Sequence, residues 1–286
     1  MLDGLAVGHW SDEQARTGVS VALLPEGTVA SGEVRGGAPG TREWELLAPE
    51  RMMNRVDAVV LAGGSAFGLG ACEGVVRWLK EHGRGFPTPS GLVPIVVGAV
   101  IYDLGVGDPN ARPGPDEGYE ACIKAGPGPL PCRDAGAGCG ATVGKWLGRN
   151  AARPGGIAEI SEHYGDLVVS AMVVANCYGD VLENGEHPND LPPGAFKPEA
   201  QASEVLGQST TLGLLATNAK LSKLECYLVA QSAHDGLARA VDPVHTLADG
   251  DAFVAASVGD IEAPVDLVRN LAARAVAKAV RQAILG

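Results

Sequence analysis

The sequence lacks the signatures of several common protein classes. Its six cysteines form no Cys-x-x-Cys pair and its six histidines show no His-Glu-x-x-His spacing, so nothing in it predicts a zinc site or a cofactor. No stretch reaches the about 18 consecutive apolar residues of a membrane-spanning helix, and no basic-then-apolar signal peptide opens the chain. We therefore expect no metal, no cofactor and no membrane partner, and free thiols in a reducing cytoplasm.

Positive charge is also scarce. The chain has 22 basic and 34 acidic side chains, for a formal net charge of −12, which repels nucleic acids and anionic lipid surfaces. Its 46% hydrophobic and 20% charged residues are ordinary for a globular protein, and 286 residues suffice for one large domain. Glycine is abundant, at 40 residues without a Gly-X-Y period, which indicates many tight turns.

Hydrophobic periodicity predicts a mixed α/β chain. Strands are predicted at residues 18–24, 28–34, 56–62, 94–102, 166–176, 210–217 and 251–258. Helices are predicted from Thr41 through Met52 and at residues 67–82, 222–241 and 264–285. The first two strands read as a hairpin closed by Pro25-Glu26-Gly27.

Two segments have loop composition. Residues 103–137 are rich in glycine and proline and predict an irregular surface segment that serves as a binding loop. Residues 183–207 are polar, contain four prolines and predict a linker.

Three glycine-rich stretches resemble nucleotide or nucleophile motifs and fail on inspection. Residues 138–145 lack the first glycine of a phosphate loop and end in Lys145-Trp146 where Ser or Thr should follow the lysine. Residues 136–141 follow no strand, as a dinucleotide fingerprint requires, and residues 63–68 place their last glycine one position late for a nucleophile elbow. They read as close-packed turns, with backbone amides facing a substrate as a second interpretation of residues 136–144.

Three hydroxyl residues, Ser209-Thr210-Thr211, stand where the predicted linker meets an apolar strand. By themselves these three residues are typical of the edge of a strand with β-branched residues, and they do not predict a catalytic role.

A wider pattern resembles the L-aminopeptidase/D-esterase family of self-cleaving N-terminal-nucleophile hydrolases. The similar blocks are residues 7–10, 15–18, 34–43, 63–69, 138–145, 210–221 and 233–240. Because they run in order along nearly the whole chain, the resemblance is specific. It implies a four-layer αββα sandwich of the N-terminal-nucleophile type, a homo-oligomer that is a tetramer, and a small amide or peptide substrate.

The resemblance implies that Thr210 is the nucleophile. Its hydroxyl would attack the Ser209 carbonyl and leave a large chain, 1–209, and a small chain, 210–286, that begins at the new Thr210 amine. The family often has Asn or Gly where this chain has Ser209, so Ser209 or Thr211 stays open as the nucleophile.

Four further residues match family positions. Asp249 and Asp251 match a paired acidic or hydroxyl position, and their i, i+2 spacing on extended chain lets both face one site. Asn176 matches the oxyanion-stabilising amide. Lys145 matches a position that is lysine in the endo-type 6-aminohexanoate (nylon) oligomer hydrolases, so this branch is the nearest. Without the resemblance, Asp249-Gly250-Asp251 would be a solvated turn.

The expected activity is hydrolysis of amino-acid amides, β-peptides or 6-aminohexanoate oligomers. One alternative is acyl transfer of the ornithine acetyltransferase type, which shares the self-cleaving threonine. The other is an uncleaved, non-catalytic scaffold.

Overall fold

The structure is a computed structural model that describes residues 2, 4–128, 133–182, 190–191 and 208–285. Its first sheet, sheet A, has the strand order β1-β2-β5-β8-β4. These strands are β1 (Ala6–Asp12), β2 (Thr17–Leu23), β4 (Thr41–Arg42), β5 (Ala58–Ala62) and β8 (Val96–Val100). Strands β5 and β8 are parallel, and the other neighbours are antiparallel.

The second sheet, sheet B, has the order β11-β12-β14-β16-β3. These strands are β3 (Val29–Val34), β11 (Gly156–Tyr164), β12 (Leu167–Asn176), β14 (Thr210–Ala219) and β16 (Ala252–Ile261). Strands β14 and β16 are parallel, and the remaining pairs are antiparallel. Three short ladders complete the described strands: β6 (Phe86–Thr88) with β7 (Gly91–Val93), β9 (Thr142–Val143) with β10 (Arg153–Pro154), and β13 (Asp180–Val181) with β15 (Val241–Asp242).

Helices cover the outer face of each sheet. They are α1 (Ala71–Glu81), α2 (Pro115–Ile123), α3 (Lys223–Ala238) and α4 (Val265–Leu285). Helices α1 and α2 share a core with sheet A, and α3 and α4 share another with sheet B. A third core fills the space between the sheets. This arrangement confirms the four-layer αββα sandwich.

Strand β14 shows how the sequence produces these layers. Side chains alternate across a strand, so Leu212 and Leu214 enter the core between the sheets while Leu215 enters the core beneath the helices. A strand with apolar residues on both faces is buried on both sides, which explains the continuous apolar run of residues 212–216.

Most predicted elements are confirmed, and three predictions are wrong. Strands β2 and β3 form no hairpin, because the turn at residues 25–28 carries the chain from sheet A to sheet B. The helix predicted from Thr41 is a two-residue strand and a 3₁₀ turn at Trp44–Leu47, since Glu43 adopts a left-handed conformation with φ 56°.

The segment 103–137 also differs from its prediction, since it contains helix α2. Pro115 occupies the first turn of that helix, and the Glu117 carboxylate accepts the Gly114 N–H at 2.8 Å. The sequence did not predict β1 or β11. The linker predicted at 183–207 falls almost entirely outside the described residues.

The termini of the other helices follow the sequence closely. Ser222 begins α3 with a capping box, in which its hydroxyl accepts the Glu225 N–H and the Glu225 carboxylate accepts the Ser222 N–H. The five cysteines that the structure describes are free and buried. None of the described helices combines the length and apolar character needed to cross a membrane.

Candidate active site

The five candidate residues meet at one edge of sheet B. Strand β12 ends at Asn176, which lies directly opposite Thr210 at the start of β14. Strand β16 runs parallel to β14, so the residues just before both strands lie at the same edge, and Ser209 forms a bridge with Asp249 there. Sequence positions 176, 209–211 and 249–251 therefore become neighbours.

The Ser209–Thr210 peptide is fully enclosed. Ser209 is 0% exposed and Thr210 is 4% exposed. The Ser209 carbonyl oxygen accepts the Gly250 N–H at 2.8 Å and lies 2.5 Å from the Thr210 hydroxyl oxygen, which donates to it. The buried hydroxyls of Ser209 and Thr211 have no hydrogen-bond partner among the described residues.

Lys145 is a buried cation surrounded by oxygens. It is 5% exposed, and its Nζ lies 2.9–3.3 Å from the backbone carbonyls of Thr142, Asn176 and Gln208 and from the side-chain oxygens of Thr142 and Asn176. Burial lowers the pKa of Lys145 to about 8, while the negative charges of Asp249 and Asp251 oppose this shift. The ammonium thus stays largely charged near neutral pH, with all its donors directed at protein oxygens.

The surroundings of Asn176 fix the direction of its amide. Its Oδ1 accepts the Thr142 N–H and the Lys145 ammonium, each at 2.9 Å. Because both partners are donors, the oxygen must lie on this side and Nδ2 on the other. This Nδ2 is buried and lacks a partner in the described part of the chain.

Asp249 is buried and held on both carboxylate oxygens. Oδ1 accepts the Tyr178 N–H at 3.0 Å, and Oδ2 accepts the Thr246 N–H at 3.0 Å and its hydroxyl at 2.7 Å. Burial, followed by repulsion from Asp251, raises the pKa of Asp249 to about 6.

Asp251 connects the strand start to a histidine. Its Oδ1 accepts the Thr211 N–H at 2.7 Å, and its Oδ2 lies 2.9 Å from His245 Nδ1. Both aspartates are 1% exposed, so the segment is not the solvated turn that the residues alone predict.

The loop at residues 35–38 holds this acidic segment in place. The Ala38 N–H donates to the Asp249 carbonyl at 2.7 Å, and the Arg35 N–H donates to the Asp251 carbonyl at 3.0 Å. A Cβ at Gly36 would come within 2.4 Å of the Asp249 carbonyl oxygen, so only glycine permits this approach. The position of the two carboxylates therefore depends on a glycine far from them in sequence.

The sequence matches the model of peptidase family S58 over residues 2–286. The chain belongs to peptidase family S58. An uncharacterized aminopeptidase of Mycobacterium leprae is 43% identical, over 92% of this chain and 78% of its own length. A 6-aminohexanoate-oligomer endohydrolase of Paenarthrobacter ureafaciens is 29% identical, over 91% of this chain and 75% of its own length. The family assignment confirms the predicted resemblance and makes the chain a peptide or amide hydrolase.

Two solved structures share the fold of this S58 member. The β-aminopeptidase of a Burkholderia species has a TM-score of 0.74 and 22% identity, over 99% of this chain and 84% of its own. The L-aminopeptidase D-Ala-esterase/amidase of Ochrobactrum anthropi, described as a new variant of the Ntn hydrolase fold, has a TM-score of 0.75 and 21% identity over the same shares. The S58 chain therefore has this fold.

A pocket of about 220 Å³ adjoins the buried site of the S58 chain. Its lining residues are Tyr102, Gly105, Val106, Thr142, Lys145, Arg149, Ala152 and Gln208. Gly105 and Val106 belong to the segment predicted as a binding loop, and they form one wall. The pocket borders Lys145 and Gln208, so it reaches the chain two residues before Thr210.

Sequence reasoning missed four residues of this site: Thr142, Arg149, His245 and the backbone of Gly250. Thr142 lies in the glycine-rich block of residues 138–145, and its amide donates to the Asn176 side chain rather than to a substrate. The amides of residues 136–139, 141 and 144 also donate to protein oxygens, so these amides do not face a substrate. His245 stands four residues before Asp249, a spacing that carries no signal on irregular chain.

Proposed function

We propose that this S58 hydrolase activates itself by cutting its backbone between Ser209 and Thr210, and that Thr210 then serves as an N-terminal nucleophile. The observation that carries the proposal is the environment of one carbonyl. The Ser209 carbonyl oxygen accepts the Gly250 N–H, and the Thr210 hydroxyl lies against the same group. A backbone donor placed there stabilises the negative charge that develops when the carbonyl carbon is attacked.

The self-cleavage step needs no outside reagent except water. Thr210 Oγ1 attacks the Ser209 carbonyl carbon, and the bond from that carbon to the Thr210 nitrogen breaks. The hydroxyl proton ends on the nitrogen, which becomes an amine, and the chain is held as an ester. Water then hydrolyses the ester and releases the chains 1–209 and 210–286.

In turnover the new amine is the base for its own hydroxyl. A free α-amine has an ordinary pKa of about 7.7–8.0, so an appreciable fraction is neutral near pH 7 and accepts the Thr210 hydroxyl proton. Asp249 and Asp251 lie beside this position and balance the charge of the ammonium form. The Nδ2 of Asn176 has no hydrogen-bond partner among the described residues and lies opposite Thr210 on the neighbouring strand, where it donates to the oxygen of the tetrahedral intermediate.

Lys145 contributes to the reaction by orienting the side-chain amide of Asn176. Its ammonium binds the amide oxygen and thereby directs Nδ2 toward the nucleophile. It also keeps a positive charge close to the developing oxyanion.

The substrate proposed is a small peptide or amide. The names of the relatives suggest three groups to test: N-terminal α-amino-acid amides, β-peptides and 6-aminohexanoate oligomers. We propose a cytoplasmic homotetramer, for which closed symmetry is the ordinary arrangement. A monomer in light scattering at micromolar concentration would contradict that assembly.

Intact mass with N-terminal sequencing tests the central proposal. The purified protein should contain two chains, the smaller being 77 residues long because 286 − 209 = 77. Thr210→Ala should leave one intact chain and no activity on p-nitroanilides, β-peptides or 6-aminohexanoate oligomers. Fragments in that variant would rule out Thr210 as the attacking group.

Two further outcomes would assign a different function. Acetyl transfer from N-acetylornithine to glutamate, without hydrolysis of any amide, would make the protein an acyltransferase. A wild-type chain that stays uncut and inactive would make it a scaffold.

A further inference from the structure

The residues before the proposed cleavage point lie in the pocket beside Lys145. Gln208 lines this pocket, its backbone carbonyl accepts the Lys145 ammonium at 3.3 Å, and its side-chain oxygen accepts a hydrogen bond from the Arg149 guanidinium. The precursor thus presents its own Gln208-Ser209 as the acyl part of its first substrate.

In the proposed reaction a later substrate follows the same path, because Thr210 remains the nucleophile and the Gly250 amide remains beside it. Its acyl carbonyl takes the place of the Ser209 carbonyl, beside Thr210 and the Gly250 amide. The acyl part then extends to where Gln208 lies in the precursor, and its far end reaches Arg149.

The charged side chains around the pocket favour a hydrogen-bond acceptor at the far end of the substrate's acyl part. Lys145 and Arg149 contribute two cations, and no described lining residue is acidic. Asp249 and Asp251 do not line the pocket, and both carboxylate oxygens of each already have hydrogen-bond partners within the protein. A guanidinium binds a carboxylate more strongly than it binds a neutral amide oxygen, because the hydrogen bonds are charge-assisted and can form in pairs.

We infer that Arg149 is a specificity-determining residue, and that this hydrolase prefers amides whose acyl part carries a carboxylate at the reach of a Glu-Ser dipeptide. This inference rests on the proposed function, since it takes Thr210 as the nucleophile. The pocket volume of about 220 Å³ is below the roughly 300–1,000 Å³ of sites for drug-sized ligands, which suits an acyl group of this size. The local preference for an anion is opposite in sign to the net charge of the chain.

The test compares three p-nitroanilides with the acyl parts Glu-Ser, Gln-Ser and Met-Ser, each with a free and an acetylated amine. Glutamate, glutamine and methionine have similar length, so the terminal group is the main difference. For the wild-type enzyme we expect kcat/KM for Glu-Ser to exceed that for Met-Ser about three- to tenfold, as one ionic hydrogen bond at a pocket mouth provides. Gln-Ser should fall between them.

Arg149→Gln should reduce the Glu-Ser to Met-Ser ratio to about one, and Arg149→Lys should leave an intermediate ratio. The matched control is Arg153→Gln, which removes an arginine charge four residues away that does not line this pocket. Rates are normalised to the processed fraction measured by intact mass, because Arg149 also touches the precursor's own Gln208.

Three results would overturn the inference. They are a wild-type enzyme that cleaves Met-Ser as well as Glu-Ser, a preference that Arg149→Gln leaves intact, and a preference that Arg153→Gln lowers equally. Cleavage of Ser-p-nitroanilide alone, with no longer acyl part accepted, would also overturn it while the proposed function stands. Failure of the proposed function is separate, since it would appear as an uncut chain without activity on any of these p-nitroanilides.

Discussion

Lys145 and Asn176 are joined by two hydrogen bonds of 2.9 Å, one to the backbone carbonyl that ends β12 and one to the side-chain oxygen. The second bond determines where the amide nitrogen of Asn176 points. A residue at a strand end and a lysine on a 3₁₀ turn thus form one unit. Single substitutions can separate the contributions of this unit, of the nucleophile and of the acidic pair.

Replacing the amide donor should abolish most turnover without unfolding the protein. In Asn176→Asp the carboxylate still binds Lys145, but no donor remains for the oxyanion, so kcat should fall about 10²–10³-fold. Steady-state kinetics on processed enzyme measure this. The matched control is Asn218→Asp at the far end of β14, where turnover should stay within a few-fold of wild type. A comparable fall in both variants would point to a general loss of sheet structure.

The neighbouring hydroxyls distinguish the three possible nucleophiles. Ser209→Ala and Thr211→Val each remove a buried hydroxyl that has no hydrogen-bond partner among the described residues, so neither change should destabilise the fold. Both variants should still process between positions 209 and 210, and Thr210→Ser should process as well. Intact mass at fixed times after purification measures the cut fraction. An uncut Ser209→Ala or Thr211→Val chain that melts like wild type would transfer the role of nucleophile to that residue.

Gly250 should tolerate no side chain. A Cβ there would come within 2.7 Å of Thr210 Oγ1 and of the Ala38 carbonyl oxygen, and would displace the amide that binds the Ser209 carbonyl. Gly250→Ala should therefore slow self-cleavage by about 10²-fold, in line with the loss of one oxyanion donor. The control is Gly126→Ala, because an added Cβ there meets nothing within 4 Å. Normal processing in Gly250→Ala would remove the main support for the proposed cleavage geometry.

The raised pKa of Asp249 predicts the direction in which the free energy of unfolding changes with pH. Its folded-state value of about 6 exceeds the unfolded value of about 3.9, so the folded state holds a proton that the unfolded state releases. In the uncut Thr210→Ala background, the free energy of unfolding should fall as pH rises from about 4 to about 6 and then level off, by on the order of 2 kcal/mol from this group.

Thermal and urea unfolding across this pH range measure the effect. Asp249→Asn in the same background should lose that component of the pH dependence. It should also start from lower stability, because an amide has a single acceptor oxygen and cannot accept both the Tyr178 N–H and the Thr246 donors, as the two carboxylate oxygens do. An unchanged pH slope in Asp249→Asn would show that another group is responsible.

Local sequence predicted the elements whose pattern is continuous. Strands β12, β14 and β16 and helices α3 and α4 were predicted because their apolar runs or helical spacing have no interruption. Resemblance then supplied the αββα layers and the five site residues, and the structure brings all five to one edge.

The wrong predictions concern segments whose structure is determined by contacts between residues far apart in the sequence. The turn at residues 25–28 looks like a hairpin locally, but β2 is a central strand of sheet A and β3 pairs with β16 more than 200 positions away. His245 and the Gly250 amide become part of the site only because β14 and β16 lie side by side. No local pattern encodes such a neighbour, and the same holds for the contact between Arg149 and Gln208.

The placement of β14 and β16 within sheet B has a consequence for a cut molecule. These strands pair with each other and are flanked by β12 and β3, so the chain 210–286 would be bound on both sides by the chain 1–209. Processing would thus turn one folding unit into an interlocked heterodimer. We expect the two chains to comigrate in gel filtration without denaturant. Their refolding should gain a second-order step between the two chains, so the melting temperature of processed protein should rise more steeply with concentration than that of uncut Thr210→Ala.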